Sequence, residues 1–479
     1  MSGTYIPLDP NVREKVSVRD SYLSTVELLP GGPVRGSIRP PGSKSLTNRA
    51  LLCAAFADGQ SHLSGALRSD DTEVMTAALR ELRVGLVESI SGRSLEVTGI
   101  GSGASNGVEP PSAARPERKL FIGNSGTTIR FLTAALSAFG GDYWLYGVER
   151  MHRRPIGDLV DALAPVCDGT VVCENPGGCP PVRIRTKGWS GDRLRVAGNV
   201  SSQYLSGLMM AAPIAEKRVE IEVTGELVSR PYVEMTARLM SDFGVDCQWA
   251  GECGDDLGDR PIVCRIDGRS GYRATEYAIE PDASAASYFW AAAAISGGEV
   301  TVSGLSANAL QGDVRFVDCL EQMGCRVTRG VDQITVAGAD GDHPRLRGID
   351  IDMNAISDTV QTLSVVALFA DGPTVIRGVA HNRFKETDRI GDLARELRKL
   401  GAEVFETADG LVITPGELVG ATLDTYDDHR MAMSLALAGL KVPGVRIKDP
   451  ACTAKTYPDF FADMESLLGR PHRWESVRG

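Results

Sequence analysis

At 479 residues, 43% of them hydrophobic, the chain is too long for one ordinary core, and two or more domains are expected. A formal net charge of −11 argues against nucleic-acid or anionic-membrane binding, so any anion site must be a local cluster of Lys and Arg. No apolar run reaches the roughly 18–20 residues that span a bilayer, and Met1–Asp20 mixes charges and prolines without an apolar signal core; the chain reads as cytoplasmic. Six segments then repeat one plan. A polar start precedes an apolar, Ala- and Leu-rich helix; a turn, a β-like run and a second, amphipathic helix follow. In chain order the first helices begin at Gly42-Ser43-Lys44-Ser45, Asn124-Ser125-Gly126-Thr127, Ser201-Ser202-Gln203, Asp282-Ala283-Ser284, Ser357-Asp358-Thr359 and Asp428-His429-Arg430. They recur roughly every 70–80 residues, a regular period for a supersecondary unit.

Second helices are predicted at Asp70–Val84, Arg154–Val166, Val233–Phe243, Asp313–Met323, Glu386–Leu400 and Pro458–Leu468, each with apolar positions three and four apart. The first helices are apolar nearly all round, as in Tyr288–Ile295, and are expected to be buried. Gly101–Lys119 and Gly251–Gly258 read as loops. The pattern suggests an α/β (α+β) protein of six βαβαββ-like units, three per domain. The ten cysteines form no Cys-x-x-Cys pair. Cys173 with Cys179, and Cys247 with Cys253, are placed in loops, and all are expected to be reduced surface thiols rather than metal ligands.

Every first helix opens on Ser, Asn or Asp, which by itself is only good capping. The cations add a second pattern. Lys44 and Arg49, Arg130, Arg154, Lys385 and Arg389, Arg430, and Lys455 are all placed at or near predicted helix starts. A helix N-terminus presents free N–H groups and partial positive charge, so fixed cations there make an anion site. An acidic protein that gathers its cations in this way points to a small, multiply anionic substrate.

These motifs resemble the EPSP synthase (3-phosphoshikimate 1-carboxyvinyltransferase) family. The resemblance is carried by Pro41–Ala50, Gly123–Thr127 with Arg130, Arg153–Gly157, Val200–Tyr204 and Ser229–Tyr232. It continues through Pro281–Ser284, Lys385–Arg389, Asp428–Met433 and Ala454–Thr456, and so runs from about Val34 to Leu468 in the family's order. It implies two similar domains, each of three βαβαββ units with helices inside (an inside-out α/β barrel), and an active site in the cleft between them. Residues 43–280 would form an inserted domain; 1–42 and 281–479 would form a discontinuous one. It further implies transfer of the enolpyruvyl group of phosphoenolpyruvate to the 5-hydroxyl of shikimate 3-phosphate, on the route to chorismate and aromatic amino acids. No cofactor and no metal are expected, the two small molecules are the partners, and the protein is expected to be a monomer.

The resemblance also assigns roles. Asp358 is the expected base for the hydroxyl, and Glu386 the expected donor and later acceptor of the C3 proton, with Lys44 beside them. Lys44, Ser45, Arg49, Ser201, Ser202, Gln203, Ser229, Tyr232, Asp358 and Lys385 are expected to hold phosphoshikimate. Lys44, Asn124, Gly126, Arg154, Gln203, Arg389, Arg430 and Lys455 are expected to hold phosphoenolpyruvate. A carboxylate among cations is ordinarily a weak proton donor, so Glu386 needs compensating burial for an acid role. His429 is expected to pack beside the site without taking part.

Two positions depart from the family. Phe131 follows Arg130 where many members have Pro, and His381-Asn382 precedes Arg383 where many have Asn-Trp, so no Asn contact is carried over there. Gly126, rather than the Ala of insensitive members, implies inhibition by glyphosate. Two alternatives remain in view. The related UDP-N-acetylglucosamine enolpyruvyl transferase carries a loop Cys that Gly147–Arg153 lacks. A non-catalytic anion-binding repeat protein would leave Asp358 and Glu386 unexplained.

Overall fold

The computed structural model describes residues 23–90, 92–101, 117–250, 262–339 and 345–476. The N-terminal segment, most of the Gly101–Lys119 loop, the Gly251–Gly258 loop and Cys253 lie outside them.

Six four-stranded sheets appear among the described residues, and all have one topology. The second sheet shows it in sequence. Arg118–Phe121 pairs in parallel with Gly141–Tyr146, and the Gly126–Phe139 helix connects the two. Gly141–Tyr146 pairs antiparallel with Cys179–Trp189, which pairs antiparallel with Cys167–Asn175. The chain thus reads strand, helix, strand, helix, strand, strand, and the sheet order is first, second, fourth, third.

Three sheets borrow a strand from far along the chain. Glu276–Ala278 pairs with Gln60–Ser64. Arg35–Ile38 pairs with Glu299–Ser303. Leu23–Glu27 enters the last sheet, between Arg446–Lys448 and Arg473–Ser476. The chain therefore starts in one half, crosses to the other near residue 42 and returns near residue 281. At the crossing Gly42 bridges Pro281, Ser43 N–H donates to the Glu280 carbonyl at 2.8 Å, and Asp282 N–H donates to the Pro41 carbonyl at 2.8 Å. Gly42 is required there, since a Cβ would lie 1.8 Å from the Gly65 carbonyl oxygen.

The first helices are central, as their all-round apolarity predicts. Every residue of Gly126–Phe139 and of Ala283–Ser296 is buried. The strands alternate buried and part-exposed positions, so the sheets form the outer layer. One apolar cluster runs from Leu46 to Ile279; a separate one joins Val26, Leu28 and Val34 to residues between Ala283 and Met464. This is a two-domain α/β fold with helices inside.

Five first helices carry the predicted side-chain cap: Ser43, Ser125, Ser201, Asp282 and Asp428 each accept from a backbone N–H of the first turn. The fifth unit differs. Asn354–Thr359 is a 3₁₀ turn, and the α-helix begins at Val360 without a side-chain cap. Several second helices start later than predicted, at Gly157, Gly391 and Phe460. Arg154, Lys385, Glu386, Arg389 and Lys455 consequently sit on the connections before those helices. Arg154 is extended because Pro155 follows it, and the residue before a proline is driven out of the α region.

The cysteine placement also needs correction. Cys173, Cys179 and Cys247 lie on strands. Of the nine described cysteines, Cys53, Cys264, Cys319 and Cys325 are buried rather than at the surface. Among the described residues no group of three or more His, Cys, Asp or Glu is placed to hold a metal. Among the described residues no helix is long and apolar enough to cross a membrane.

Candidate active site

The cleft between the halves gathers residues from five of the six units, the fourth contributing none to its lining among the described residues. Lys44, Ser45 and Arg49 come from the first helix of unit one; Gly126 and Arg130 from that of unit two; Ser201, Ser202 and Gln203 from that of unit three. Arg154, Ser229 and Tyr232 complete that side of the wall. Asp358, Lys385, Glu386, Arg389 and Arg430 form the facing side. Of the residues singled out in the sequence, Asn124 and Lys455 stand one contact behind the wall.

Two carboxylates organise the cations. Glu386, 8% exposed, lies 2.8 Å from Arg389 Nη2, 3.2 Å from Lys455 Nζ and 3.8 Å from Arg154 Nη2. Asp358 lies 2.9 Å from Arg430 Nη2, 3.2 Å from Arg389 Nη1 and 3.6 Å from Lys385 Nζ. Burial pushes both carboxyl groups up, but the combined attraction of the cations outweighs it and holds both well below the usual range. Both are anions here, so burial does not supply the protonated Glu386 that an acid role needs.

Further contacts fix the cations. Arg389 donates to Asp428 through Nε (2.7 Å) and Nη2 (3.1 Å), the same Asp428 that caps the His429–Ala436 helix. Arg154 and Lys455 both donate to the Asn124 carbonyl, at 3.0 and 3.2 Å. Asn124 thus joins a cation from each half. Lys44 pairs with Asp71 at 3.2 Å.

Arg49 is different in kind. It is 1% exposed, and no carboxylate is paired with it among the described residues. Its donors go to Thr236 Oγ1 (2.7 Å), the Ser45 carbonyl (3.1 Å), Ser206 Oγ and the Tyr232 carbonyl (both 3.4 Å). The Phe131 ring lies 5.0 Å from its guanidinium carbon. Burial pulls its pKa down to about 10, so it remains a cation at neutral pH. A buried cation without a counterion is a receptor for an anion. Arg130 is also buried; it donates to Gln203 Oε1 at 2.5 Å and lies 5.3 Å from the Tyr204 ring.

Ser229 has a left-handed backbone, φ 54°. Asn354 of the other half holds it: Oδ1 accepts from Ser229 N–H at 2.8 Å. Ser229 Oγ lies 3.3 Å from both Ser357 Oγ and His381 Nε2. The Tyr232 hydroxyl donates to Asp313. His429 is 1% exposed and kept neutral by burial and the surrounding cations. The sequence reading missed Asp71, Asp313 and His381, and counted Arg130 among the anion-site cations without assigning it a substrate. A charge near a helix start was a usable signal for Arg130 and Asp71; nothing local marks Asp313 or His381.

The fold and the cleft define the protein's class, the enolpyruvyl transferases. The enolpyruvyl transferase NikO from Streptomyces tendae has the same fold, with a TM-score of 0.71, 18% identity, and 95% of this chain and 100% of that one covered. Residues 28–464 match the model of the EPSP synthase (3-phosphoshikimate 1-carboxyvinyltransferase) family, and the chain belongs to that family. It is 44% identical over 436 residues to the 3-phosphoshikimate 1-carboxyvinyltransferase of Nostoc punctiforme, covering 91% of this chain and 97% of the relative. It is 46% identical over 454 residues to the chloroplastic enzyme of Brassica napus, with 93% and 85% covered. EPSP synthase from Acinetobacter baumannii superposes with a TM-score of 0.75 at 25% identity, covering 94% of this chain and all of that one.

Proposed function

We propose that the protein transfers the carboxyvinyl group of phosphoenolpyruvate to the 5-hydroxyl of shikimate 3-phosphate. The hydroxyl oxygen bonds to C2 of phosphoenolpyruvate as its proton leaves to Asp358. Glu386 delivers a proton to C3, giving a tetrahedral ketal phosphate. Loss of a C3 proton back to Glu386 and breakage of the C2–O bond to phosphate then restore the double bond. The cations around Glu386 stabilise the departing phosphate.

In this reading Arg49, with Ser45, takes the carboxylate of phosphoshikimate. Ser201, Ser202 and Ser229 take its phosphate beside Gln203 and Tyr232, and Lys385 and Asp358 reach its hydroxyls. Lys44, Arg154, Arg389, Arg430 and Lys455 hold phosphoenolpyruvate, with Asn124, Gly126 and Gln203 around it; paired guanidinium donors suit carboxylate and phosphate. Domain boundaries at 42/43 and 280/281 are supported by the separate apolar clusters and the crossing at Gly42 and Pro281. One chain supplies every residue named, which supports a working monomer, and phosphorylated substrates suit a cytoplasmic enzyme.

The observation that carries the proposal is the pair of carboxylates, half-buried Asp358 and buried Glu386, each ringed by cations in one cleft. The test is phosphate release with both substrates present. Wild-type enzyme should release phosphate only with both. Asp358→Asn and Glu386→Gln should each lose about 10²–10⁴-fold in kcat while still binding phosphoshikimate. Near-normal turnover in either variant removes that residue from the mechanism; no release from wild type removes the reaction itself.

A further inference from the structure

Asp313 has no role in the scheme above, yet it stands directly behind the wall, in contact with the lining residue Tyr232. It lies on the Gly312–Arg315 turn and is 3% exposed. The Tyr232 hydroxyl faces both of its oxygens, at 3.0 and 2.9 Å, and Ser284 Oγ donates to Oδ2. Ser284 Oγ in turn accepts from Arg430 Nη2 at 3.3 Å, and that same nitrogen donates to Asp358 Oδ2 at 2.9 Å. The buried Asp313 and the half-buried Asp358 are therefore linked through the Ser284 hydroxyl and one guanidinium. The charged and titratable groups facing Asp313 are Asp358 from the fifth unit, Arg430 from the sixth and Tyr232 from the third.

Asp358 has a difficulty as a base, because three cations hold it ionised. A second negative charge nearby works the other way and raises its proton affinity. We propose that Asp313 is a positioning residue for the carboxyvinyl transfer: as an anion it shares Arg430 with Asp358 and keeps Asp358 basic enough to take the proton of the attacking hydroxyl. This rests on the reading of Asp358 as that base. The proton passes from the hydroxyl to Asp358, the oxygen bonds to C2, and Asp313 neither gains nor loses an atom.

Burial, with the Asp358 charge next, pushes the Asp313 carboxyl up to about 6 against the pull of Arg430, Ser284 and Tyr232. Its negative charge is thus present above about pH 6 and withdrawn below it. The experiment compares kcat of wild type and Asp313→Asn from pH 5 to 8. The Asn keeps the shape and the hydrogen-bonding capacity without the charge. Substrate phosphates also titrate near pH 6, but identically for both enzymes, so the ratio of the two kcat values is the readout.

The ratio of wild type to variant should be about tenfold at pH 8, the scale of one pKa unit in Asp358 basicity, and should narrow toward one at pH 5. A ratio that stays constant across the range, at one or at any other value, overturns the proposal. Ser284→Ala serves if Asp313→Asn fails to fold. Loss of the donating hydroxyl should move the acid limb of kcat to higher pH, and an unmoved limb overturns the proposal. Asp358→Asn separates the two readings. If it keeps wild-type turnover, the base assignment fails; if it abolishes turnover while the Asp313 ratio is flat, only the role of Asp313 fails.

Discussion

Glu386 is held in the wrong form for its first task. Arg389, Lys455 and Arg154 keep it ionised, although it must give a proton to C3. Phosphoenolpyruvate resolves this, because its phosphate and carboxylate compete for the same cations and bring negative charge beside Glu386. Both effects raise the proton affinity of Glu386. Binding phosphoenolpyruvate to the phosphoshikimate-loaded enzyme should therefore take up protons near neutral pH. Calorimetry in two buffers of different ionisation enthalpy measures this, and Glu386→Gln should lose the uptake. Equal heats in both buffers would remove this account. Gly126 is a second case at this scale. An added methyl group there would crowd a longer inhibitor more than the shorter phosphoenolpyruvate. In the structure a Cβ would lie 2.4 Å from Arg154 Nη2, and Arg154 is itself buried and tied to Asn124 and Glu386. Gly126→Ala should thus displace a phosphoenolpyruvate ligand. Overpacking of about 1–3 kcal/mol corresponds to a KM for phosphoenolpyruvate raised about tenfold to a hundredfold. Wild type should be inhibited by glyphosate competitively with phosphoenolpyruvate, and the variant should lose glyphosate affinity by at least as much. An unchanged KM in steady-state kinetics would show that Arg154 yields freely.

At the scale of elements, the helix starts explain both what the sequence disclosed and what it hid. Capping and all-round apolarity are local signals, so five of the six first-helix starts were legible as placed, and with them Lys44, Arg49 and Arg430; the fifth begins later, at Val360. The family resemblance supplied roles that spacing could not. Several second helices were placed early because amphipathic periodicity continues into the residues before them, as at Arg154 and Glu386. Asp313 was invisible because its partner Tyr232 is 81 residues away and only folding brings them together. Asp282 shows how one cap serves two elements. Its Oδ1 accepts from Ala285 N–H at 2.9 Å in its own helix, and Oδ2 accepts from Lys44 N–H at 3.2 Å at the start of a helix in the other half. Asp282→Ala should lower stability by about 1–2 kcal/mol for its own cap alone. It should also raise KM for both substrates, because Lys44 loses its anchor. Urea unfolding reads the first effect and steady-state kinetics the second; lost stability with unchanged KM would confine Asp282 to its own helix.

For the whole molecule the question is what holds the halves together over a cleft full of cations. Lys44 and Arg154 face Arg389, Arg430 and Lys455, and like charges at this range repel. Unopposed, that repulsion would hold the cleft open until an anion arrives. The structure places an anion of the protein's own in the gap. Glu386 meets Arg154 of one half and Arg389 and Lys455 of the other, while its carbonyl accepts from Arg150 Nε at 2.9 Å. Asn354 grips Ser229 across the same cleft. The carboxylate thus does part of the bridging that substrate anions do. Removing its charge leaves the repulsion unopposed, so Glu386→Gln without substrates should have a larger radius of gyration than wild type in solution scattering. Raising the ionic strength should narrow the difference by screening the cations. Phosphoshikimate with glyphosate should close both proteins to one radius, because two bound anions supply more charge than the lost carboxylate. If wild type and variant scatter alike without ligand, Glu386 does not bridge the halves, and the contacts at Ser229 and Asn124 hold them together instead.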